Sequence, residues 1–380
     1  MEHANTVRPR DVGTSLRIAF LDSWLQSAVD GSGTAVGIGG LEQTLRRQGH
    51  TVDRIAPPTH GLWRRLPITA RRLCFNLLLP QRLRPSAYDL VVGFDWDGVW
   101  LPRGSTPFVC SIKGIIAEEL QHERGRIRLL FSLLARLEGM NARRADRVLT
   151  TSRYCRDRIA RHYRVPAANI AIVPEGIDVD EWRAALVAAP PRRDLRPTIL
   201  CVARQYPRKH VADLIAAFAL LCAHVPDARL RIVGDGPEHA ALVALAQALG
   251  VAEQVVFLGG IPDPAVRHEY SHCDLFCLPS VQEGFGIVLL EAMVAGVPVV
   301  STTAAAIPEV VQHGVTGILV PPSEPHSLAG ALLLLLTDHE RRARYSAAAH
   351  TAVMDYDWNR VTNRFLSAVH DLAAGGAAQH

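Results

Sequence analysis

The stretch LPSVQEGFGIVLLEAMVAGVPVVST, residues 278–302, reads as a strand end, a glycine-bearing turn, a helix and a second strand. Glu283 follows the first strand, residues 284–286 (GFG) open the helix, and Glu291 lies about one and a half turns inside it. Glycine lets the backbone approach a ligand closely, and free N–H groups at a helix start attract an anion. The stretch therefore predicts a binding site for a diphosphate, in which the carboxylates of Glu283 and Glu291 can accept hydrogen bonds from sugar and ribose hydroxyls.

The alternation of strand and helix continues on both sides of this stretch. Predicted strands of the second half begin with TILCVAR (198–204) and end with GILVP (317–321), while those of the first half begin with RIAFLDS (17–23). Such alternation predicts an α/β protein with parallel sheets covered by helices on both faces. Ligands of such sheets bind at the carboxyl ends of the strands, so two tandem domains place the site in the cleft between them.

The predicted domain boundaries follow from a Pro- and Arg-rich linker, AAPPRRDLRP, at residues 188–197. Residues 1–187 form the first doubly wound domain and residues 198–357 the second. A last helix, around residues 358–375, lies beyond the second set of strands, and we expect it to pack back on the first domain.

The cations of the chain are unusual in kind, because 39 of the 41 are Arg and only Lys113 and Lys209 are Lys. Arg204 ends the first strand of the second domain, and Lys209 opens the helix that follows. Both point to the carboxyl edge of the sheet, where they could neutralise the charge on a departing diphosphate.

These segments resemble the retaining GT-B glycosyltransferases of family four. The matching pieces include VARQYPRK (202–209), EGFGIVLLE (283–291) and PEVVQHGVTGILVPP (308–322), and the resemblance is dense over 198–336. It is looser before residue 198, where GSGT, ADRVLTTS and VPEGIDVDEW match in order. The resemblance implies two Rossmann-like domains facing across a cleft.

It also implies transfer of a sugar, with retention, from a nucleotide-diphosphate sugar to a hydroxyl acceptor that is a glycan, a glycolipid or a small molecule. Neither a metal nor another cofactor is expected. In such enzymes the Arg and Lys bind the diphosphate, the first Glu orients the donor sugar and the second Glu holds the ribose. The glycine-rich loop of the first domain closes over the phosphates. The donor-binding candidates carried over are Gly31, Ser32, Gly33, Ile261, Gly284, Phe285, Gly286, Ile287 and Glu291, and the catalytic candidates are Arg204, Lys209, Glu283 and Lys113.

Two positions depart from the family pattern. Lys113, in VCSIKGI, stands where the family usually has a His near the donor sugar, and we hypothesise that it contacts a carboxylate or phosphate on a substrate, or a donor hydroxyl. Glu175, in VPEGID, stands where the family commonly has an Asn, and the sequence offers no physical account of it.

Asp95, Trp96 and Asp97, in GFDWDG, follow a strand on the cleft side. They either line the acceptor pocket or form a capped turn, and the sequence leaves both open. Asp-x-Asp occurs three times in this chain, which is only a weak excess over chance, and no H-E-x-x-H or C-x2-C motif occurs, so no metal site is predicted.

Charge divides along the chain. Residues 1–185 contain 27 basic and 19 acidic residues, net +8, whereas residues 186–380 contain 14 and 18, net −4. A basic first half suits a phosphorylated acceptor or an anionic membrane surface. Residues 60–85 mix Arg with aromatic and aliphatic residues, which predicts either peripheral membrane contact or a surface helix packed on its own domain. We expect a cytoplasmic protein, without a signal peptide or membrane span and without a nucleic-acid partner.

Other function classes make different predictions. A degenerate protein that binds a nucleotide sugar or glycan without turnover fits the two departures, and a sugar-nucleotide epimerase or a phosphorylase could use the same fold. An oxidoreductase is disfavoured, because VGDGPE carries only a lone G-x-G and no acidic residue follows at the expected distance. Release of nucleoside diphosphate from a sugar donor would separate an enzyme from a binding protein.

Overall fold

The structure is a computed structural model, and it describes residues 15–24, 33–58, 63, 66–122 and 125–377. Within these residues the chain forms two six-stranded sheets, and every strand pairing in both is parallel. The predicted α/β class with two doubly wound sheets is confirmed.

The first sheet has the strand order β2-β1-β3-β4-β5-β6. Its strands are β1 (Arg17–Leu21), β2 (Thr51–Ile55), β3 (Leu90–Phe94), β4 (Phe108–Ile112), β5 (Arg147–Thr150) and β6 (Ile170–Ile172). The helices between them are α1 (Gly33–Arg47), α2 (Ile68–Arg82), α3 (Ile116–Glu119), α4 (Gly125–Arg144) and α5 (Arg153–Tyr163). Strands β3 and β4 are buried along their whole length, which is why LVVGF and FVCSI read as continuous rather than alternating apolar runs.

The second sheet has the order β12-β11-β10-β7-β8-β9. Its strands are β7 (Thr198–Val202), β8 (Arg229–Val233), β9 (Val255–Gly259), β10 (Leu275–Leu278), β11 (Val299–Thr302) and β12 (Gly317–Val320). Its helices are α6 (Val179–Ala188), which precedes β7, then α7 (Val211–Cys222), α8 (His239–Ala248), α9 (Asp263–Ser271), α10 (Ile287–Val294), α11 (Ile307–Val310), α12 (Pro325–Thr337) and α13 (His339–Ala352). A last helix, α14 (Trp358–Ala377), follows them.

Helix α14 packs on the first sheet. Its Trp358, Val361 and Phe365 are buried in one apolar cluster with Ile18 and Phe20 of β1. The chain thus crosses between the sheets twice, and the crossings lie side by side, since the backbone N–H of Ile177 donates to the carbonyl of Tyr356 at 2.9 Å.

Helix α6 was predicted to belong to the first domain, which was expected to end at residue 187, but it packs on the second sheet. Its Val179 and Trp182 belong to the core of the second sheet, where the Trp182 ring meets Tyr270 edge-on with a centroid distance of 5.6 Å. The physical reason is that the apolar side of α6 finds its partners on α9, although the helix precedes the linker in sequence. In the structure, α6 therefore packs with the second sheet, and α14 packs with the first.

Candidate active site

The predicted diphosphate site lies where β10 runs into α10. Gly286 occupies the N-cap position of this helix with φ +91°, in the left-handed region that favours glycine. A Cβ there would also lie 2.9 Å from Cδ1 of Leu289. The backbone therefore needs glycine to turn from strand to helix at this point, and α10 begins directly behind it.

Two of the predicted catalytic residues contact each other beside this turn. Lys209 follows β7, and its ammonium donates to the carboxylate of Glu283, with both side chains at least 87% buried. The Ser280 hydroxyl donates to the same carboxylate at 3.1 Å. Side chains from two different strand ends thus meet at the carboxyl edge of the second sheet.

Burial and charge act against each other on this pair. Burial lowers the pKa of Lys209, and the Glu283 carboxylate only partly offsets that shift. Burial alone would raise the pKa of Glu283, but the positive charges of Lys209 and Arg208 and the hydrogen bonds from Lys209 and Ser280 hold it below its usual value. The site therefore contains an ammonium and a carboxylate that stabilise each other in a region poor in water.

Arg204 lies on the same loop as Lys209, but it is exposed, and its guanidinium carbon is 5.9 Å from the centroid of the Tyr206 ring. The structure brings Lys209 and Glu283 into contact, whereas the guanidinium of Arg204, on the same loop, is open to solvent.

Glu291 lies inside α10, as predicted from the spacing. The Tyr270 hydroxyl donates to Oε2 of Glu291 at 3.0 Å, and burial raises the pKa of this carboxyl to about 7. Ile261, proposed to meet the base, follows β9 and packs partly buried against the second core.

The first domain faces this region through the start of α1. A Cβ at Gly33 would lie 3.2 Å from Cδ1 of Ile287, so the first residues of α1 and α10 approach each other closely. Gly31 and Ser32, the other candidates in the glycine-rich loop, lie outside the described residues.

Gly284 and Phe285 have structural partners. The carbonyl of Gly284 accepts hydrogen bonds from the hydroxyls of Thr151 and Ser152, both at 3.0 Å. Phe285 is buried against Tyr356, with a centroid distance of 5.6 Å. The loop that carries Glu283 is thereby fixed to the end of β5 in the other domain.

Sequence reasoning missed a second contact between the domains. Glu309, at α11, accepts hydrogen bonds from the backbone N–H groups of Arg153 and Tyr154, each at 2.8 Å. These groups open α5, where a helix has free donors and a positive dipole end. The sequence provided only an indirect signal of this contact. Glu309 lies in PEVV, and ADRVLTTS ends directly before Arg153, and both segments belong to the motifs that resemble the family.

Lys113 and Glu175, the two departures from the family pattern, form an ion pair with each other. Lys113 follows β4 and Glu175 follows β6, and Nζ lies 2.9 Å from Oε1 with the side chains 8% and 4% exposed. Lys113 was predicted to contact a carboxylate or phosphate of a substrate, or a donor hydroxyl, and in the structure it contacts the carboxylate of Glu175 in the chain itself. The ion pair also explains Glu175, for which the sequence offered no physical account.

Asp95, Trp96 and Asp97 are all buried. The Asp97 carboxylate accepts hydrogen bonds from the backbone of Ser23 and from the Asn76 amide, both at 2.8 Å, and burial raises its pKa. Trp96 is fully enclosed, and Asp95 has φ +56°. Because all three side chains are buried in the core, their burial favours the turn interpretation over an acceptor pocket.

The basic, apolar segment 60–85 is described in part, since residues 59–62 and 64–65 lie outside the described residues. Within it, α2 buries Phe75 and Leu79 and leaves Leu77 55% exposed. The sequence did not single out α4, which packs on the same face of the sheet and carries five Arg and one Glu. The exposed apolar residues on and beside the two helices are Leu66, Ile68, Leu73, Leu77, Ile127, Leu129, Leu130, Leu133 and Met140.

No helix among the residues that the structure describes combines the length and the apolar character needed to cross a bilayer.

Comparison with known proteins gives matches along most of the chain. The family model described as "Glycosyltransferase Family 4" matches residues 31–181, and "Glycosyl transferases group 1" matches residues 183–352. The GDP-mannose-dependent alpha-(1-6)-phosphatidylinositol monomannoside mannosyltransferase of Mycolicibacterium smegmatis is 37% identical over 304 residues, which cover 74% of this chain and 79% of that protein.

Solved structures match the fold at lower identity. Sucrose-phosphate synthase from Thermosynechococcus elongatus has a TM-score of 0.74 at 21% identity, covering 94% of this chain and 99% of that one. Anabaena Alr3699/HepE in complex with UDP-glucose has a TM-score of 0.71 at 21% identity, covering 94% and 100%. At this identity the likeness concerns the arrangement of the two domains.

Proposed function

Because the chain belongs to glycosyltransferase family four and has the GT-B fold, we propose that it transfers a sugar, with retention, from a nucleoside-diphosphate sugar to a hydroxyl of its acceptor. The observation that carries this proposal is the buried contact between Lys209 and Glu283 beside the glycine-opened start of α10. An ammonium and a helix start together suit a diphosphate.

In the proposed reaction the bond between the anomeric carbon and the diphosphate oxygen breaks, and the acceptor oxygen bonds to the same face of that carbon. The acceptor proton passes to the departing diphosphate oxygen. Lys209, Arg204 and the start of α10 stabilise the negative charge that develops there. Glu283 orients the sugar hydroxyls, and Glu291 holds the ribose.

We propose GDP-mannose as the donor and an inositol-containing glycolipid as the acceptor. The support is the mycolicibacterial relative, whose name states both, and which matches this chain in both domains. The structural neighbour that binds UDP-glucose makes UDP-glucose the natural competing donor to test.

A lipid acceptor requires the enzyme to work at a membrane surface, and we propose that α2 and α4 provide the contact. Both helices lie on one face of the first sheet, expose apolar side chains and carry an excess of Arg. Apolar insertion combined with attraction to anionic lipid is the usual basis of interfacial binding.

The test of the transfer reaction uses the full chain with GDP-mannose or UDP-glucose as the donor and phosphatidylinositol monomannoside as the acceptor. We expect a mannosylated lipid with retained anomeric configuration, measured by NMR. Lys209→Met should lower kcat about 10²–10³-fold, as loss of a group that stabilises a developing anion does. Arg360→Met, on the exposed side of α14, is the matched loss of a cation and should leave kcat unchanged.

Undiminished turnover by Lys209→Met would contradict the role of the ammonium. Tight donor binding without transfer or nucleotide release would favour the degenerate binding protein instead.

The membrane contact is tested by sedimentation with vesicles that contain phosphatidylglycerol. Leu129→Asp, at a side chain 73% exposed on α4, should weaken binding, and Leu195→Asp, at an 83% exposed linker residue, should not. High salt should also weaken it, because exposed charges are screened. Equal sedimentation of both variants with the unmutated chain would rule out contact through α4.

A further inference from the structure

An ion pair joins the two domains beside the contact between Lys209 and Glu283. Glu119 is the last residue of α3 in the first domain, and Arg208 directly precedes Lys209 in the second. Nη2 of Arg208 lies 3.4 Å from Oε1 of Glu119, and the two side chains are 25% and 31% exposed. Both charged groups are therefore open to solvent, so a ligand in the cleft can reach them.

The charges of this pair act on the candidate site itself. Burial and Glu283 shift the pKa of Lys209 in opposite directions, and in addition Arg208 lowers this pKa and Glu119 raises it. Burial alone would raise the pKa of Glu283, but Lys209 and then Arg208 hold it below its usual value. The guanidinium of Arg208 thus lies within electrostatic reach of the proposed diphosphate site, and Glu119 brings a negative charge to the same place.

The ion pair is not needed to hold either of its partners in position. Helix α3 has only one turn, and it is fixed within the first domain, where the backbone N–H of Ile116 donates to Oε2 of Glu138 at 3.1 Å. The carbonyl of Arg208 accepts from the backbone N–H of Val281 at 3.0 Å, which fixes its loop within the second domain. Partly exposed ion pairs contribute little to stability, so the pairing of these two charges needs another explanation.

A carboxylate that faces a guanidinium beside an anion site competes with the anion. A diphosphate carries more negative charge than a carboxylate, and its oxygens suit the planar donor groups of Arg. It should therefore attract Arg208 more strongly than Glu119 does, and it should repel Glu119. Binding of a substrate phosphate would then exchange one partner of Arg208 for another.

We propose that Glu119 competes with a substrate phosphate for Arg208. The ion pair forms in the free protein, opens when the phosphate binds, and forms again as the nucleoside diphosphate leaves, so Glu119 speeds the release of product. This inference rests on the proposed function and assigns a role in it to a carboxylate of the first domain. The phosphate belongs either to the donor or to the phosphodiester of a glycolipid acceptor, and both offer the same chemistry.

The first measurement is the dissociation constant of GDP, and of UDP, for the full chain by calorimetry. Glu119→Gln keeps the shape of the side chain and should lower the dissociation constant about two- to fivefold, because Arg208 loses its competing partner. Arg208→Met should raise it about tenfold or more, because a charge-assisted hydrogen bond to phosphate is lost. A pair that only held the domains together would shift both variants in the same direction.

The double variant separates competition from simple repulsion. If Glu119 acts through Arg208, Glu119→Gln should have no effect on nucleotide affinity when it is combined with Arg208→Met. A gain that persists in the double variant would mean that Glu119 merely repels the nucleotide, and it would overturn the exchange. Arg17→Met with Asp53→Asn removes an exposed ion pair between β1 and β2, and this matched control should leave the affinity unchanged.

The second measurement is the rate of nucleotide release, followed by stopped-flow fluorescence with a labelled GDP. Glu119→Gln should slow release about two- to fivefold, because differences in affinity among variants of one site lie mostly in the dissociation rate. The third is the KM for phosphatidylinositol monomannoside. If the phosphate belongs to the acceptor, Glu119→Gln should lower this KM and leave the affinity for GDP unchanged.

Unchanged nucleotide affinity and release together with an unchanged acceptor KM would overturn the proposal, and so would weaker nucleotide binding by Glu119→Gln. Failure of the proposed function would appear differently, as absent transfer by an unmutated chain that still binds nucleotide. The affinity comparison judges the pair in that case, because it needs no turnover. An unmutated chain that binds neither GDP nor UDP would contradict both proposals.

Discussion

Glu291 is the carboxyl group of the site that changes charge near neutral pH. Its pKa is about 7 in the folded chain, where burial raises it, against an ordinary value of 4.5. Between these pH values the folded chain holds a proton that the unfolded chain releases, so the free energy of unfolding falls as the pH rises. We expect Glu291→Gln, which cannot ionise, to be more stable than the unmutated chain at pH 8, and that advantage to shrink by roughly 1–3 kcal/mol at pH 5.

Urea unfolding at the two pH values measures this difference. Glu253→Gln, at an exposed residue of the same domain, is the control for loss of a carboxyl group. If the unmutated chain and Glu291→Gln respond identically to pH, burial does not shift this carboxyl.

The residues of the site were predictable from the sequence to different degrees. Glu283 and Glu291 were accessible because one short segment carries both, together with the glycines that turn the backbone. The pairing of Lys113 with Glu175 was not, because the two follow different strands with β5 between them, and only the folded sheet brings their ends together. The burial of Asp95 and Asp97, on which the turn interpretation rests, is likewise a property of the packed core.

At the scale of elements, Gly37 in α1 makes a sharp prediction. Alanine there would place its Cβ 2.1 Å from Oε2 and 2.9 Å from Cδ of Glu175, so either the helix or the carboxylate must move. We expect Gly37→Ala to lower both thermal stability and the affinity for a nucleotide sugar, as measured by differential scanning fluorimetry and calorimetry.

Gly39→Ala is the matched change two residues along the same helix, where a Cβ would meet no atom within 4 Å. It should be neutral or stabilising by about 0.5–1 kcal/mol, because alanine favours the helix. Equal behaviour of the two variants would mean that the space occupied by Glu175 is not needed.

Most elements follow from local sequence pattern. The predicted strand RIAFLDS contains β1, and the helix predicted around 211–223 is α7, Val211–Cys222, to within one residue. The spacing of apolar residues predicts where a helix starts and which of its sides is apolar, but it does not predict which sheet that side packs against. This is why α6 was assigned to the first domain, although Trp182 finds its partner in the second.

At the scale of the whole molecule, Glu309 joins the two domains by binding the start of α5. Glu309→Ala removes the acceptor of two backbone N–H groups of the other domain, and so weakens the contact between the domains. We expect a larger radius of gyration in small-angle X-ray scattering and a several-fold lower kcat/KM. An unchanged radius would show that Glu309 does not fix the position of one domain against the other.

Asp338→Ala provides the control, because Asp338 caps α13 within one domain by accepting from the N–H of Arg341 at 2.9 Å. Loss of such a cap costs about 0.5–2 kcal/mol. This variant should lose thermal stability without a change in the radius of gyration.

The return of α14 to the first sheet has a consequence for biosynthesis. Phe365 and Val369 complete the apolar layer beneath β1, yet they emerge from the ribosome after the whole second sheet. About 190 residues separate the end of α6 from the end of α14, which corresponds to roughly 10–40 s of translation at about 5–20 residues per second. During that interval the apolar face of the earliest strands is not covered by α14, so nascent chains of this protein should bind a ribosome-associated chaperone until the last helix has been synthesised.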